Sequence, residues 1–384
     1  MKIYNAHIYT MNSKDEIIEN GWAEIRDGKI INTGSGTCST SSDDIDAGGQ
    51  ILMPGFIDAH THLGIIGNGV AFESDDCNEQ SDPVTPHVRA VDGINPFDFC
   101  FEEAHNRGIT SVLTCPGSAN AVGGEIVAIK TTGHCIDKMI IKECGIKFAL
   151  GENPKTVYND RDETPVTRMA TAALIREILM KAKRYHEDIC RYKADPENNQ
   201  MPEFDMKLES LIPLLKHEKK AHFHCHRADD ICTAVRISKE FNLDYVLIHA
   251  TDGYLVSDIL GEDHAYTVVG PIICDRAKPE LKSMDIKNAA CLHKDGANIA
   301  ICTDHPVCPI QYLPISAAIA VKGGLNYMDA LHAITSGAAH AAGISDITGS
   351  IEPGKDADIQ LYDSDPLDVM SEPTLVMING KIIS

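Results

Sequence analysis

Seven short apolar runs, each followed by a segment long enough for a helix, restrict the fold of this chain more than any other feature. They are Ile51 to Ile57, Ser111 to Thr114, Lys147 to Leu150, Ala221 to Cys225, Tyr245 to Ile248, Tyr266 to Val269 and Asn298 to Cys302. A strand covered on both faces reads as a continuous apolar run, and strands separated by helices run parallel. An eighth run is read near Ile126 to Ile129, which makes about eight βα units over ~250 residues, the pattern of a closed barrel. The flanks have a different texture. Lys2 to Tyr9, Trp22 to Ile25 and Lys29 to Thr33 are alternating runs separated by Asp27-Gly28 and similar turns, and short strands return after Gly343. Such spacing predicts a meander of small antiparallel strands. The expected fold is therefore α/β, a (β/α)8 TIM-like barrel over residues 53–344, with a small β-sandwich domain built from both chain ends, 1–52 and 345–384.

Between Thr156 and Met201 lies a polar stretch with one amphipathic helix, Pro165 to Tyr192. An insertion this long after a barrel strand is read either as a cover over the active-site face or as a surface excursion or subunit contact. The 384 residues carry 34 Lys and Arg against 56 Asp and Glu, a net charge of −22. A surface that acidic repels phosphate backbones and anionic lipid, so nucleic acid and membrane are not expected partners. The N-terminus alternates apolar and polar residues in place of a signal-peptide core, and a cytoplasmic location is expected. The thirteen cysteines, scattered without a CxxC pair, read as reduced thiols.

Chemistry concentrates where the apolar runs end. Pro54-Gly55-Phe56-Ile57-Asp58-Ala59-His60-Thr61-His62 closes on His-x-His, and residues i and i+2 of a strand share a face, so His60 and His62 can aim two imidazoles at one point. Two neutral ring nitrogens are half of a zinc or iron site. His222, His224 and His226 alternate along another run; His224 is the first choice as a ligand and His226 a close second. Tyr245 to Ile248 ends in His249, which by itself also fits a hydrogen-bonded core histidine. Asn298 to Cys302 runs into Thr303-Asp304-His305, where Asp304 alone could be a helix N-cap. Together these residues fall at the C-terminal ends of separate strands, the face on which barrel enzymes build their sites. Arg227 and Tyr158 follow such ends and are candidates to grip a substrate carboxylate, as is Lys155; His226 and His305 are candidate substrate contacts.

This arrangement, with the returning Gly349-Ser350-Ile351-Glu352-Pro353-Gly354-Lys355-Asp356-Ala357-Asp358 segment, resembles the amidohydrolase superfamily of metal-dependent hydrolases nearly end to end. Within it the chain is most similar to the imidazolonepropionase-related branch. The resemblance implies that His60 and His62 hold one metal, that His224 and His249 hold a second, and that Asp304 touches metal and handles the proton. Many members bridge two metals through a carbamoylated lysine at the fourth strand. Here Lys147-Phe148-Ala149-Leu150-Gly151-Glu152 reads as that strand, and Glu152 at its end is the favoured bridge, with a carbamoylated Lys147 as the competing reading.

The implied cofactor is one or two divalent ions, zinc first, iron or manganese otherwise. A bound ion lowers the pKa of its water to roughly 7 and polarises a carbonyl. Asp304 would accept the proton and return it to the leaving nitrogen, and His249 would polarise the carbonyl if only one ion is present. The expected activity is hydrolysis of an amide, cyclic amide or dipeptide-like C–N bond in a small molecule, carried out by a homo-oligomer. Two alternatives stand beside it. A mononuclear deaminase of a nucleobase-like ring is disfavoured because no glutamate follows His224 closely, although Asp229 could substitute. A non-catalytic scaffold relative would be expected to have dropped ligands.

Overall fold

The computed structural model describes residues 1–67 and 72–384. The chain begins with β1 (Lys2–Tyr9), β2 (Ile17–Arg26), β3 (Lys29–Ser35), β4 (Ile45–Asp46) and β5 (Ile51–Pro54). These join β14 (Ile359–Tyr362), β15 (Leu375–Ile378) and β16 (Lys381–Ile382) in one sheet of order β16-β15-β14-β5-β1-β2-β3, with β4 also on β1. Only part of it is the expected meander. The β1 strand is antiparallel to β2 but parallel to β4 and β5, and β14 from the far end of the chain lies on β5. That insertion ties the two ends together around a core containing Ile3, Ile8, Ile30, Leu52, Ile359 and Met377.

The second sheet is a barrel, nearly closed, of β6 (Phe56–Thr61), β7 (Ile109–Thr114), β8 (Val122–Lys130), β9 (Ile140–Ala149), β10 (Lys220–Cys225), β11 (Tyr245–His249), β12 (Tyr266–Val269) and β13 (Asn298–Ile301), in chain order. Beyond the end of β13, the Asp304 N–H donates to the His60 carbonyl at 3.2 Å and the His62 N–H to the His305 carbonyl at 2.8 Å, drawing the first and last strands together. The single apolar run Ile51 to Ile57 is two strands in two sheets. They part at Gly55, where a Cβ would come within 2.2 Å of the Thr110 side chain, so only glycine lets the chain pass from one sheet to the other.

One expectation fails. The third barrel strand, β8, runs antiparallel to both neighbours. A parallel crossover needs a dozen or more residues, and residues 115–121, glycine-containing and seven in number, are too few to carry one. The β7-β8-β9 unit is therefore a meander, and Lys130 at the end of β8 sits beside Ser111, at the opposite end of the barrel from the histidines. There the buried Lys130 ammonium is bound by Asp356 at 2.8 Å and by Asp358, which clamps the β domain to the barrel.

Alternation along the strands sorts their residues onto two faces. Phe148, Phe223 and Leu247 pack outward with Ile175 and Leu179 of helix Arg168–Ala194 and Ile231 and Ala234 of helix Ala228–Phe241. Helix Arg168–Ala194 is capped by Thr167, whose hydroxyl accepts the Ala170 N–H. It packs beside helix Ala228–Phe241 as an outer helix of the barrel, so its amphipathic pattern serves the wall and not a cover over the mouth. The cysteines form no disulfide, and no helix among the described residues is long and apolar enough to cross a membrane.

Candidate metal centre

Two groups of metal-competent side chains meet at the C-terminal mouth of the barrel: His60, His62 and Asp304, and His224, His226 and His249. Asp58 builds the first. Two residues below His60 on β6, it is wholly buried and accepts hydrogen bonds from the Thr303 N–H at 3.0 Å, the Thr303 hydroxyl at 2.6 Å and the His60 N–H at 3.2 Å. One carboxyl thus fixes the ends of the first and last strands relative to each other. Burial pushes this carboxyl up to about 7, with the Thr303 and His60 hydrogen bonds working against the shift. Asp304 Oδ1 lies 3.3 Å from His60 Nε2 and 3.4 Å from His62 Nε2. Burial opposes its charge, yet His249, His60 and His62 hold the carboxyl well below its usual range.

The ring orientations follow from outer hydrogen bonds. The Nδ1 atoms of His62 and His249 lie 2.7 Å from the carbonyls of Cys115 and Gly270, and His226 Nδ1 lies 2.7 Å from the Thr251 hydroxyl. Each bond leaves Nε2 for the site, the arrangement that orients metal-binding imidazoles. His226 and His249 stack at 4.6 Å, His224 stands edge-on to both at 4.7 Å, and His60 is 5.3 Å from His249, so the two groups are continuous. Burial drives His60 and His226 down to about 3 and His224 and His249 well below their usual value, which keeps them in the neutral, ligating form. His62 differs: burial disfavours its charge, but Cys77 and Asp304 raise it to about 10. His249 at φ +71° and Asp304 at φ +55° both hold left-handed backbone, strain that gathers at functional sites.

These donors fit a divalent cation. Beyond the imidazole and carboxylate chemistry, His60 Nδ1 and His224 Nδ1 are buried without hydrogen-bond partners among the described residues.

Several sequence expectations need correction here. Glu152 does not join either group. The β9 strand ends at Ala149, and Gly151 at φ +90° turns the chain outward, so Glu152 opens helix Glu152–Asn159 beside Lys155, Arg168, Arg227 and Lys282. The side chain that does reach inward is Lys147. Its long stem carries Nζ to 3.4 Å from His60 Nε2 and 3.4 Å from the Pro116 carbonyl, wholly buried, and burial pushes its ammonium down. Tyr158 is buried on its helix and donates to Asn120 Oδ1 at 2.7 Å, outside both groups. Arg227 turns to the surface and grips Asp229 through two hydrogen bonds, at 2.9 and 2.8 Å.

His305 is buried beside the site, where its Nδ1 accepts the Ile310 N–H at 3.1 Å, and it belongs to neither group. His222 is buried deeper, against Gly145, and His226 stands with His224 and His249 instead of at the rim. A cavity of about 420 Å3 opens beside His249, lined also by Thr251, Gly270, Arg276, Asp285 and Asn288. Neither Arg276 nor Glu280, whose carboxylate lies 3.7 Å from His226 Nε2, carries a sequence signal; both occupy irregular chain after β12, where no periodicity marks an inward-facing position.

Residues 51–383 match the amidohydrolase family. The amidohydrolase tasK of Hapsidospora irregularis is 31% identical over 359 residues, 87% of this chain, which spans 36% of that protein's length. The crystal structure of an amidohydrolase from Thermotoga maritima MSB8 superposes with a TM-score of 0.94 at 39% identity, covering 100% of this chain and 99% of that one. The likeness to imidazolonepropionase is local: the enzyme of Caldanaerobacter subterraneus subsp. tengcongensis is 47% identical over 51 residues, 13% of this chain and 12% of its own. The match to the family over most of the chain, on a barrel whose mouth collects His60, His62, His224, His249 and Asp304, shows that the chain belongs to the amidohydrolase family.

Proposed function

We propose that this protein hydrolyses the C–N bond of a small amide, cyclic amide or dipeptide-like substrate at a site for two divalent ions, zinc first among them. The observation that carries the reading is the continuity of two separate ligand groups with the buried Lys147 amine at their junction. The deaminase reading is disfavoured because no glutamate follows His224 closely. Burial holds Lys147 toward the neutral amine, the form that adds CO2 to become a carbamate; as a carbamate it would supply the carboxylate that Glu152, which stands in neither group, does not.

When bound, divalent ions supply Lewis acidity at the reacting carbonyl and make hydroxide available at neutral pH. The chain's own residues do the rest. Asp304, held ionised between His60 and His62, takes the proton of the attacking water and delivers it to the departing nitrogen. His226 is braced by Thr251 with Nε2 left for the site. The cavity beside His249 is of small-molecule size, and Arg276, with one N–H on the Met284 carbonyl at 2.9 Å, takes the anion-binding role expected of Arg227.

The test is metal content by elemental mass analysis, followed by a panel of N-acyl amino acids, dipeptides, lactams and nucleobases. Two equivalents with amide turnover support the reading. One equivalent with ammonia release from a ring would replace it with the deaminase, and no metal after reconstitution would refute both.

A further inference from the structure

Glu280 is the polar side chain at this site that the family resemblance does not account for. It follows Pro279 in a short turn after β12, its side chain is 1% exposed, and its two oxygens have different surroundings. Oε2 accepts the Glu152 N–H at 3.0 Å, and Gly151 lies so close behind that a Cβ there would stand 2.9 Å from it. Oε1 has no hydrogen-bond partner among the described residues. It lies 3.7 Å from His226 Nε2 and 4.0 Å from His224 Nε2, and the Lys278 ammonium is no nearer than 3.9 Å.

A buried carboxylate oxygen without a donor is costly, and one fixed in place through its other oxygen cannot turn away to find one. The separations are too long for hydrogen bonds. They are close to the roughly 3.4 Å between two ligands of one zinc ion held at about 2.0–2.1 Å. Charge points the same way. His60 and His62 share a carboxylate, Asp304, which also acts on His249, whereas the carboxylate that stands within 4.0 Å of His224 and His226 in the pairs described is Glu280.

We propose that Glu280 is the acidic ligand of the three-histidine group, completing with His224 and His226 a cation site whose charge is balanced from the loop after β12. The proposal rests on the two-ion reading above. The substitution Glu280→Gln keeps the side chain's shape and can still accept the Glu152 N–H, while removing the charge. Zinc affinity is measured by competition with a chromogenic chelator on the full-length protein, and ligand geometry by the absorption bands of the cobalt(II)-loaded form.

The expected result is that wild-type protein binds two equivalents and that E280Q holds one of them at least about tenfold more weakly, with altered cobalt bands. Unchanged affinity overturns the proposal, as does weaker binding with unchanged bands, which would make Glu280 a neighbouring charge and not a ligand. A wild-type protein that binds no zinc or cobalt overturns the two-ion reading and this proposal together, whereas two equivalents of equal affinity in both proteins overturns this proposal alone. If E280Q does not fold, Glu280→Asp, which draws the carboxylate back by one methylene, is read by the same two measurements with the same expected and refuting results.

Discussion

Replacing Lys147 with methionine should make the metal-stripped protein more stable while removing its function. The Lys147 ammonium is fully buried, and its contacts with His60 Nε2 and the Pro116 carbonyl are both 3.4 Å long. Taking an ammonium out of water costs several kcal/mol even after relaxation. Hydrogen bonds at the long end of the range return about 1 kcal/mol or less each, and the downward shift of the amine reports that imbalance. Methionine matches the stem in length and carries no donor. Chelator-treated K147M should therefore exceed chelator-treated wild type by about 1–4 kcal/mol, the range found when buried charge is exchanged for apolar volume. Urea unfolding followed by far-ultraviolet circular dichroism, with free energies compared at a common slope, measures the difference. The metal-replete variant should lose one equivalent and its turnover. A stripped K147M less stable than wild type by more than about 1 kcal/mol would refute the reasoning, because the amine would then be a satisfied structural group. So would K147M retaining both equivalents.

Other outcomes follow from the same geometry. Asp304→Asn should lower kcat by roughly 10²–10⁴-fold, checked by steady-state rates on protein whose metal content is measured in parallel. Arg276→Met should raise KM for substrates bearing a carboxylate by about 10–100-fold, the worth of a charged hydrogen bond, with kcat little changed; equal loss on uncharged substrates would remove Arg276 from substrate recognition. Lys130→Met, which takes the ammonium from the buried Asp358 carboxylate and leaves Asp356 only its ion pair with Lys29, should cost about 3–5 kcal/mol in urea unfolding, yet leave turnover per folded molecule intact because Lys130 lies at the other end of the barrel. Burial works against the Asp356 charge, but Lys130 holds its carboxyl below the ordinary 3.8. A depressed carboxyl contributes stability that is complete above the unfolded value and lost as pH falls through the folded one. The Asp356 contribution should thus be smaller in K130M, where Lys29 alone remains to hold the carboxyl down, in acid unfolding curves that begin below about pH 4.

What could be read from the chain alone was whatever local pattern encodes. Continuous apolar runs announced the barrel strands, because a strand covered on both faces has no polar side to interrupt it. His60 and His62 were visible as a pair because the two-residue period of a strand puts them on one face, and Asp304 because it stands at the end of the last run. The direction of β8 was less visible: a strand reads the same in either sense, and only the shortness of residues 115–121 betrays it. Position along the strand favours Glu152 over Lys147, an argument about Cα atoms, whereas four methylenes carry the Lys147 amine to His60.

Only the tertiary structure decided what depended on chain segments far apart in sequence. Asp58 is an unremarked residue of an apolar strand until Thr303, distant along the chain, donates two hydrogen bonds to it and turns it into the tie between the first and last strands. Tyr158 and Arg227 were plausible anchors by their place after a strand, but helix phase buried one against Asn120 and turned the other to Asp229. Glu280 and Arg276 lie in irregular chain, and irregular chain has no period from which a direction can be inferred. The sequence by itself determined the barrel, its flanking β domain and the histidines at strand ends, because periodicity is a local property. The folded chain alone decided which charged groups meet at the mouth, because burial and charge compensation are properties of the space between segments.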